Sequence, residues 1–302
     1  MIKLSDIQIL KLGKTLHHIK NNNFFYGQLF IDDRISSYEA LAELPFMTYE
    51  KLAQGYPFAY SCADTKGLVS AHVHTVNKEP VMNLFTDTDI LHIAEMTART
   101  FSIAEISDED TLLLMSHENM CPAFTNVSEK LRHFLIHSGD VNHSKLFDLI
   151  NDTDASCLLG DTKDIYDFVE YCREKGLDLE SSSLRAGVFC GKPLTEGTRK
   201  HIEKESGMHI YMTAGFGPFL HGMATDCAEH DGMHLWDDHY IAEIIDENGK
   251  VIPDGEEGEL VVTTLSLEAL PLIRFKTGKK SKILSREKCA CGLHTVKIAY
   301  PS

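Results

Sequence analysis

Between residues 87 and 212, short apolar runs alternate with amphipathic helical patterns, and this alternation limits the fold more than any other feature of the chain. Thr111-Leu112-Leu113-Leu114-Met115, Ala155-Ser156-Cys157-Leu158-Leu159-Gly160, Leu184-Arg185-Ala186-Gly187-Val188-Phe189 and His209-Ile210-Tyr211-Met212 each read as a strand. Three helices accompany them, one ahead of the first strand and two between later strands. Ile90, Ile93, Ala94, Thr97 and Phe101 form one apolar face behind a cap expected at Asp87. Ile165, Phe168, Val169 and Cys172 recur at i, i+3, i+4 and i+7 before a stop at Gly176, and Thr195 caps a third helix that ends at Gly207. Apolar strands separated by helices form a layered α/β sheet whose faces are covered.

The flanks differ in texture. Residues 1–60 read as a helical segment with an aromatic cluster at Phe24, Phe25, Tyr26, Leu29 and Phe30, and Thr48 caps a short helix. After about residue 220 the chain turns β-rich, with strand patterns at 241–246 and 259–264 and turn signals at Asn248-Gly249 and Asp254-Gly255. The expectation is one large domain: a helical segment (1–60), an α/β lobe (61–220) and a β-rich lobe (221–302).

Composition narrows the function. Among 302 residues, 29 Lys and Arg oppose 45 Asp and Glu, a net charge of −16. That balance excludes a sequence-independent nucleic-acid or anionic-membrane binder, which needs a basic surface. Eight Cys are too sparse for a disulfide scaffold, and several stand in apolar runs, so a reducing cytoplasm is expected. The start, Met1-Ile2-Lys3-Leu4-Ser5-Asp6, has no basic segment followed by an apolar run and so does not read as a signal peptide.

Five motifs then follow one another: Asp231-Gly232-Met233-His234-Leu235-Trp236-Asp237-Asp238-His239-Tyr240; Glu243-Ile244-Ile245-Asp246; Pro253-Asp254-Gly255-Glu256-Glu257-Gly258-Glu259-Leu260-Val261-Val262-Thr263-Thr264-Leu265; Pro271-Leu272-Ile273-Arg274-Phe275-Lys276-Thr277-Gly278; and Cys289-Ala290-Cys291-Gly292. In this order the series resembles the phenylacetate–CoA ligases, a branch of the adenylate-forming superfamily. Leu44-Pro45-Phe46-Met47-Thr48, Tyr56-Pro57-Phe58 and Gly191-Lys192-Pro193 fit the same family. The resemblance implies a large domain that binds a carboxylic acid and ATP, forms an acyl adenylate and passes the acyl group to a thiol, usually coenzyme A. It places acyl or nucleotide pocket residues at Gly191, Tyr211, Phe216, His221, Trp236, Asp238 and Arg274. A homodimer or a partner enzyme is expected by the same analogy.

The sequence departs from that pattern where the chemistry is most demanding. The phosphate loop should fall near 71–80, where Ala71-His72-Val73-His74-Thr75-Val76-Asn77-Lys78-Glu79-Pro80 stands without a glycine. The Mg²⁺-binding Glu position holds Gly215, and the ribose-binding Asp position holds Lys279. The family's carboxy-terminal lid, with its catalytic Lys, has no counterpart before Ser302. These departures put ATP, AMP and Mg²⁺ in doubt as ligands. The expectation is a degenerate family member that binds a small carboxylic acid or acyl ligand, as a sensor, regulator or scaffold. The rival reading is an acid–CoA ligase or acyl-transfer enzyme with an unorthodox ATP site, or with a lid from another chain.

Cys289-x-Cys291 supplies a thiol pair, and Cys227 and His234 are separated by six residues between the α/β and β-rich textures. Cys and His in these numbers suit a closed tetrahedral zinc site. The resemblance assigns the four ligands to Cys227, His234, Cys289 and Cys291, with His230 and His294 as substitutes. His72 with His74, and His117 with Glu118, are further polar candidates; Met212, Phe216, Phe219 and Met223 flank the segment expected to hold an acyl group.

Overall fold

The computed structural model describes residues 3–30, 35–115, 122–216 and 220–302. In chain order its elements begin with α1 (Asp6–Asn22), α2 (Phe24–Gly27), α3 (Tyr38–Ala42), α4 (Tyr49–Gln54), β1 (Ser70–Val76), β2 (Glu79–Phe85) and α5 (Asp87–Ile103). There follow β3 (Thr111–Met115), α6 (Pro122–Leu131), β4 (Phe134–His137), α7 (His143–Thr153), β5 (Cys157–Asp161), α8 (Thr162–Lys175), β6 (Ala186–Cys190), α9 (Glu196–Ser206) and β7 (His209–Phe216). The last strands are β8 (Leu220–Thr225), β9 (Met233–Leu235), β10 (Tyr240–Ile245), β11 (Gly258–Thr264), β12 (Phe275–Ser281), β13 (Ile283–Ser285) and β14 (Lys297–Ile298). The chain divides into two compact units: residues 93–215 with 224–233, and residues 1–92 with 216–223 and 234–302.

The first of these units is the α/β layer. Strands β3 to β7 run parallel in the order β4-β3-β5-β6-β7. Leu112, Leu114, Cys157, Leu159, Ala186 and Val188 meet Phe101, Phe124 and Val127 in one core. Helix α8 buries Ile165, Phe168, Val169 and Cys172, the face read from spacing, and stops at Gly176 in the left-handed conformation. A buried ion pair braces the far strand. Arg199 reaches Asp226 at 2.7 Å and donates to the carbonyl of Ile210, while the Asp226 carboxylate accepts the Met212 N–H at 2.6 Å.

In the other unit the first 92 residues join the carboxy-terminal strands. Ser5 and Gln8 form a capping box at the start of α1. The Thr15 hydroxyl then donates to the Leu265 carbonyl at 3.2 Å, and Tyr26 donates to Pro271 at 3.0 Å. These long-range bonds explain why the division departs from the texture change near residue 220: the helical segment has no core of its own. Strands β10, β11 and β12 form an antiparallel sheet, and β13, β14 and β9 are neighbours in that order. Thr48 caps α4 as expected. At α5 the cap is Thr86, not Asp87. The Thr86 hydroxyl accepts the Asp89 N–H at 3.2 Å and the Asp89 carboxylate accepts the Thr86 N–H at 2.8 Å, a reciprocal arrangement that leaves Asp87 as the first helical residue.

Candidate functional site

The segment expected to cradle phosphate is a tight β-hairpin. β1 and β2 pair in register from Ser70↔Phe85 to Val76↔Glu79, so only Asn77 and Lys78 remain for the turn. Both have positive φ, 52° and 71°, the backbone of a two-residue primed turn. Residues 71–76 and 79–84 spend their backbone groups on each other or on the strand edges. His72 lies edge-on to Phe85 with ring centroids 5.4 Å apart, and 6.5 Å from the ring of His74. Burial, with the charge of His72 second, lowers the His74 pKa.

The α/β unit holds the next positions. Gly215 ends the expected Mg²⁺ segment on β7 and is exposed, with no side chain to ligate a cation. Tyr211 is half-buried against the α/β core, its ring 6.3 Å from that of His230; burial raises its pKa. Gly191 has φ of 96°, and any Cβ there would run into the Asp161 carboxylate, so its glycine has a local steric cause. The side chains of Phe216 and His221, and residues His117, Glu118 and Phe219 altogether, lie outside the described residues.

Arg274 is not free for a nucleotide. It is 2% exposed, its Nε donates to Glu243 Oε2 at 3.0 Å, and its Nη1 donates to the carbonyls of Ala42 and Leu44. Its guanidinium also stacks over Phe46 at 4.2 Å. This Arg fastens the 42–46 segment to the β10–β12 sheet. Lys279 is exposed on β12, where its N–H donates to the Thr277 hydroxyl. Trp236 is buried, and its backbone N–H donates to the Met223 carbonyl; the Asp238 carbonyl accepts the Lys11 ammonium at 2.6 Å. Trp236 thus reads as packing, and the Asp238 carboxylate lies 3.6 Å from His239 Nε2.

His234, Cys289 and Cys291 come together within the unit that holds them all. Their donor atoms lie within 4.8 Å of one another, and Cys291 Sγ is 3.4 Å from His234 Nε2. His234 Nδ1 is 2.9 Å from the Thr295 hydroxyl, which fixes the ring with Nε2 toward sulfur, a common outer arrangement for a ligating imidazole. The Lys297 ammonium is 3.7 Å from Cys289 Sγ. One imidazole and two thiols with such neighbours form a cluster that can hold a metal. Cys227, in the α/β unit, is buried, and its carbonyl accepts the His230 N–H.

Sequence reasoning missed a further feature of this lobe. A cavity of roughly 600 Å³ opens beside β10, lined among others by Tyr38, Ala42, Glu243, Lys250, Ile252 and Arg286. These positions span nearly 250 residues and share no motif.

No protein-family model matches the chain. It is 28% identical over 293 residues to phenylacetate–coenzyme A ligase of Pseudomonas putida, covering 93% of this chain and 67% of the relative. The enzyme of the same name from Escherichia coli (strain K12) is 29% identical over 298 residues, covering 93% and 68%. Among solved structures, an open conformation of 2-hydroxyisobutyryl-CoA ligase in complex with 2-HIB-AMP and CoA superposes with a TM-score of 0.86. It is 21% identical, covering 97% of this chain and 68% of that one. The chain therefore spans about two thirds of the length of these proteins.

Proposed function

Because the chain is a phenylacetate–CoA ligase-like member of the adenylate-forming enzymes, we propose that it keeps their scaffold for a small carboxylic acid or acyl ligand without conventional ATP-dependent ligation. It acts through binding, as a cytoplasmic regulatory or scaffold protein, as a homodimer or beside a partner enzyme. The observation that supports this most is the closed hairpin. A triphosphate cradle needs several backbone N–H groups converging from a flexible loop. The two-residue turn at Asn77-Lys78 leaves no such loop, and Glu79 sets a carboxylate next to the turn. Repulsion between that carboxylate and a polyphosphate adds to the geometric loss.

Two further positions support the same reading. Mg²⁺ takes carboxylate oxygens alongside substrate phosphates, and Gly215 offers none. Lys279 cannot accept hydrogen bonds from ribose hydroxyls, because an ammonium only donates. The residues at these positions do not fit ATP, AMP or Mg²⁺. The relatives' names make phenylacetate the first acid to try.

The thiol–imidazole cluster belongs to the same account as a structural zinc site. His234, Cys289 and Cys291 provide three ligands, and Cys227, seven residues before His234 in the chain, is the proposed fourth. Such a site would anchor the turn at 289–292.

The catalytic question is tested by pyrophosphate release. Purified protein with ATP, Mg²⁺, coenzyme A and a panel of aromatic and short acids should release none above the acid-free rate. Acid-dependent, saturable release would establish ligase chemistry and overturn the proposal.

A further inference from the structure

Helix α5 buries Ile93, Ala94, Met96, Thr97 and Phe101, while His92 is half-buried and Glu95 exposed on its outer side. His92 and Glu95 stand three residues apart, so their side chains leave the helix from neighbouring positions on one face. The helix runs unbroken from Asp87 to Ile103, which fixes Glu95 relative to His92.

His239 comes to this face from the turn ahead of β10. Its backbone is held on both sides: the N–H donates to the Trp236 carbonyl and the carbonyl accepts the Leu265 N–H, each at 2.8 Å. The carbonyls of Asp237 and Asp238 accept from Gln8 and Lys11 of α1 at 3.0 and 2.6 Å. The imidazole is therefore delivered to a fixed place, and its ring stands edge-on to that of His92 with centroids 5.3 Å apart. Donor atoms of the two imidazoles lie within 4.8 Å of each other, and the Glu95 carboxylate lies within the same distance of His92 along α5. Asp238, beside Nε2 of His239, favours the tautomer with the proton on Nε2 and the lone pair on Nδ1.

Two imidazole nitrogens and one carboxylate oxygen suit a first-row divalent ion such as zinc, whereas Mg²⁺ and Ca²⁺ take oxygen ligands. The Glu95 carboxylate also meets Arg99 at 2.6 Å, but both side chains are partly exposed. An exposed pair at this spacing contributes little, so an ion displaces it readily. We propose that His92, Glu95 and His239 form a second metal site, apart from the thiol–imidazole cluster, for a divalent first-row transition ion. Three protein ligands leave a coordination position for water or a small anion. The exposed Glu95 gives the ion a route in, so it exchanges more freely than one enclosed by thiolates.

The test is cobalt titration of the full chain, first equilibrated with one equivalent of zinc, which the thiolates take. Co²⁺ should saturate one site per chain below about 0.1 mM. Its spectrum should show the weak ligand-field bands of nitrogen and oxygen ligation, without thiolate charge-transfer absorption. Loss of a group that merely orients a ligand costs about 10–100-fold in metal affinity, so loss of a ligand should cost at least as much. His92→Ala and Glu95→Ala put a good helix former on the outer face of α5 and should each weaken cobalt about 100-fold or more. They decide the matter should His239→Gln fail to fold. His17→Ala, which removes an exposed imidazole from α1, should leave cobalt binding unchanged. No saturation below about 1 mM would overturn the proposal. So would uptake that is unchanged in both α5 variants, or thiolate absorption that accounts for all the cobalt bound.

Discussion

Replacing Arg274 with Ala should unfold this protein more readily than any nucleotide-site substitution would. The resemblance makes Arg274 a pocket residue; the structure makes it a buried clamp. The side chain is 2% exposed and Glu243 is 2% exposed, so the pair is desolvated on both sides. Breaking a buried pair from one side costs about 3–5 kcal/mol, because a charge is left buried alone. The carbonyls of Ala42 and Leu44 also lose their donor, at about 1 kcal/mol each. These losses share one network and do not simply add, so the expected cost is about 4–6 kcal/mol. Burial already raises the Glu243 pKa, against the opposing charge and hydrogen bond of Arg274. Without Arg274 it rises further. A folded-state pKa above the unfolded value gives stability that is present at low pH and lost as pH rises, so the Ala variant should lose more at about pH 8 than at about pH 5. The assay is urea unfolding of wild type and variant, read as midpoint and slope. The double variant Glu243→Gln/Arg274→Met removes both charges and should recover about half the loss or more. A cost for Arg274→Ala below about 1 kcal/mol would refute the clamp and return Arg274 to the ligand candidates.

Three further outcomes are expected. Lys78→Gly relieves a positive φ that costs an L-residue about 1–2 kcal/mol, set against glycine's entropy of about 0.5–1; thermal unfolding should report a gain of up to about 1 kcal/mol, and a clear loss would contradict the two-residue turn. Purified protein never exposed to chelator should contain about one zinc per chain by elemental analysis, lost in His234→Ala or Cys289→Ser; a wild-type content well below one equivalent would sink the zinc assignment. Asp110 has its pKa lowered from 3.8 to about 2: burial alone would raise it, but hydrogen bonds from Arg185, Ser107 and Ser156 outweigh that. The depressed value gives stability that is present above the ordinary Asp pKa and lost as pH falls toward 2, so Asp110→Asn should cost about 2 kcal/mol at neutral pH and almost nothing at the acid end of a denaturation series.

Much of the α/β layer was legible because its signals are local. The face of α8 follows from four apolar residues at helical spacing, and Thr195 announces α9 by its hydroxyl. Cys289 and Cys291 are close in sequence, so only His234 had to be brought to them by the fold. Other features depend on pairings that no local pattern encodes. Arg274 stands in its motif with the same neighbours whether it faces a ligand or Glu243, and only the burial of both ends separates the two. The missing glycines of 71–80 were plain, but the turn at Asn77-Lys78 was not, because Lys at positive φ is no turn signal. Glu243 sits in a strand that reads as apolar. The cavity beside β10 draws on α3, β10 and β13, which meet only after long stretches of chain have folded between them.

The central claim is that the hairpin at 70–85 has closed the triphosphate site. It is tested most directly by measuring unfolding stability in the presence of saturating ATP·Mg²⁺. The account predicts no stabilisation over a matched Mg²⁺ control. A gain approaching about 2.7 kcal/mol, the effect of a ligand at 100 times its dissociation constant, would contradict it.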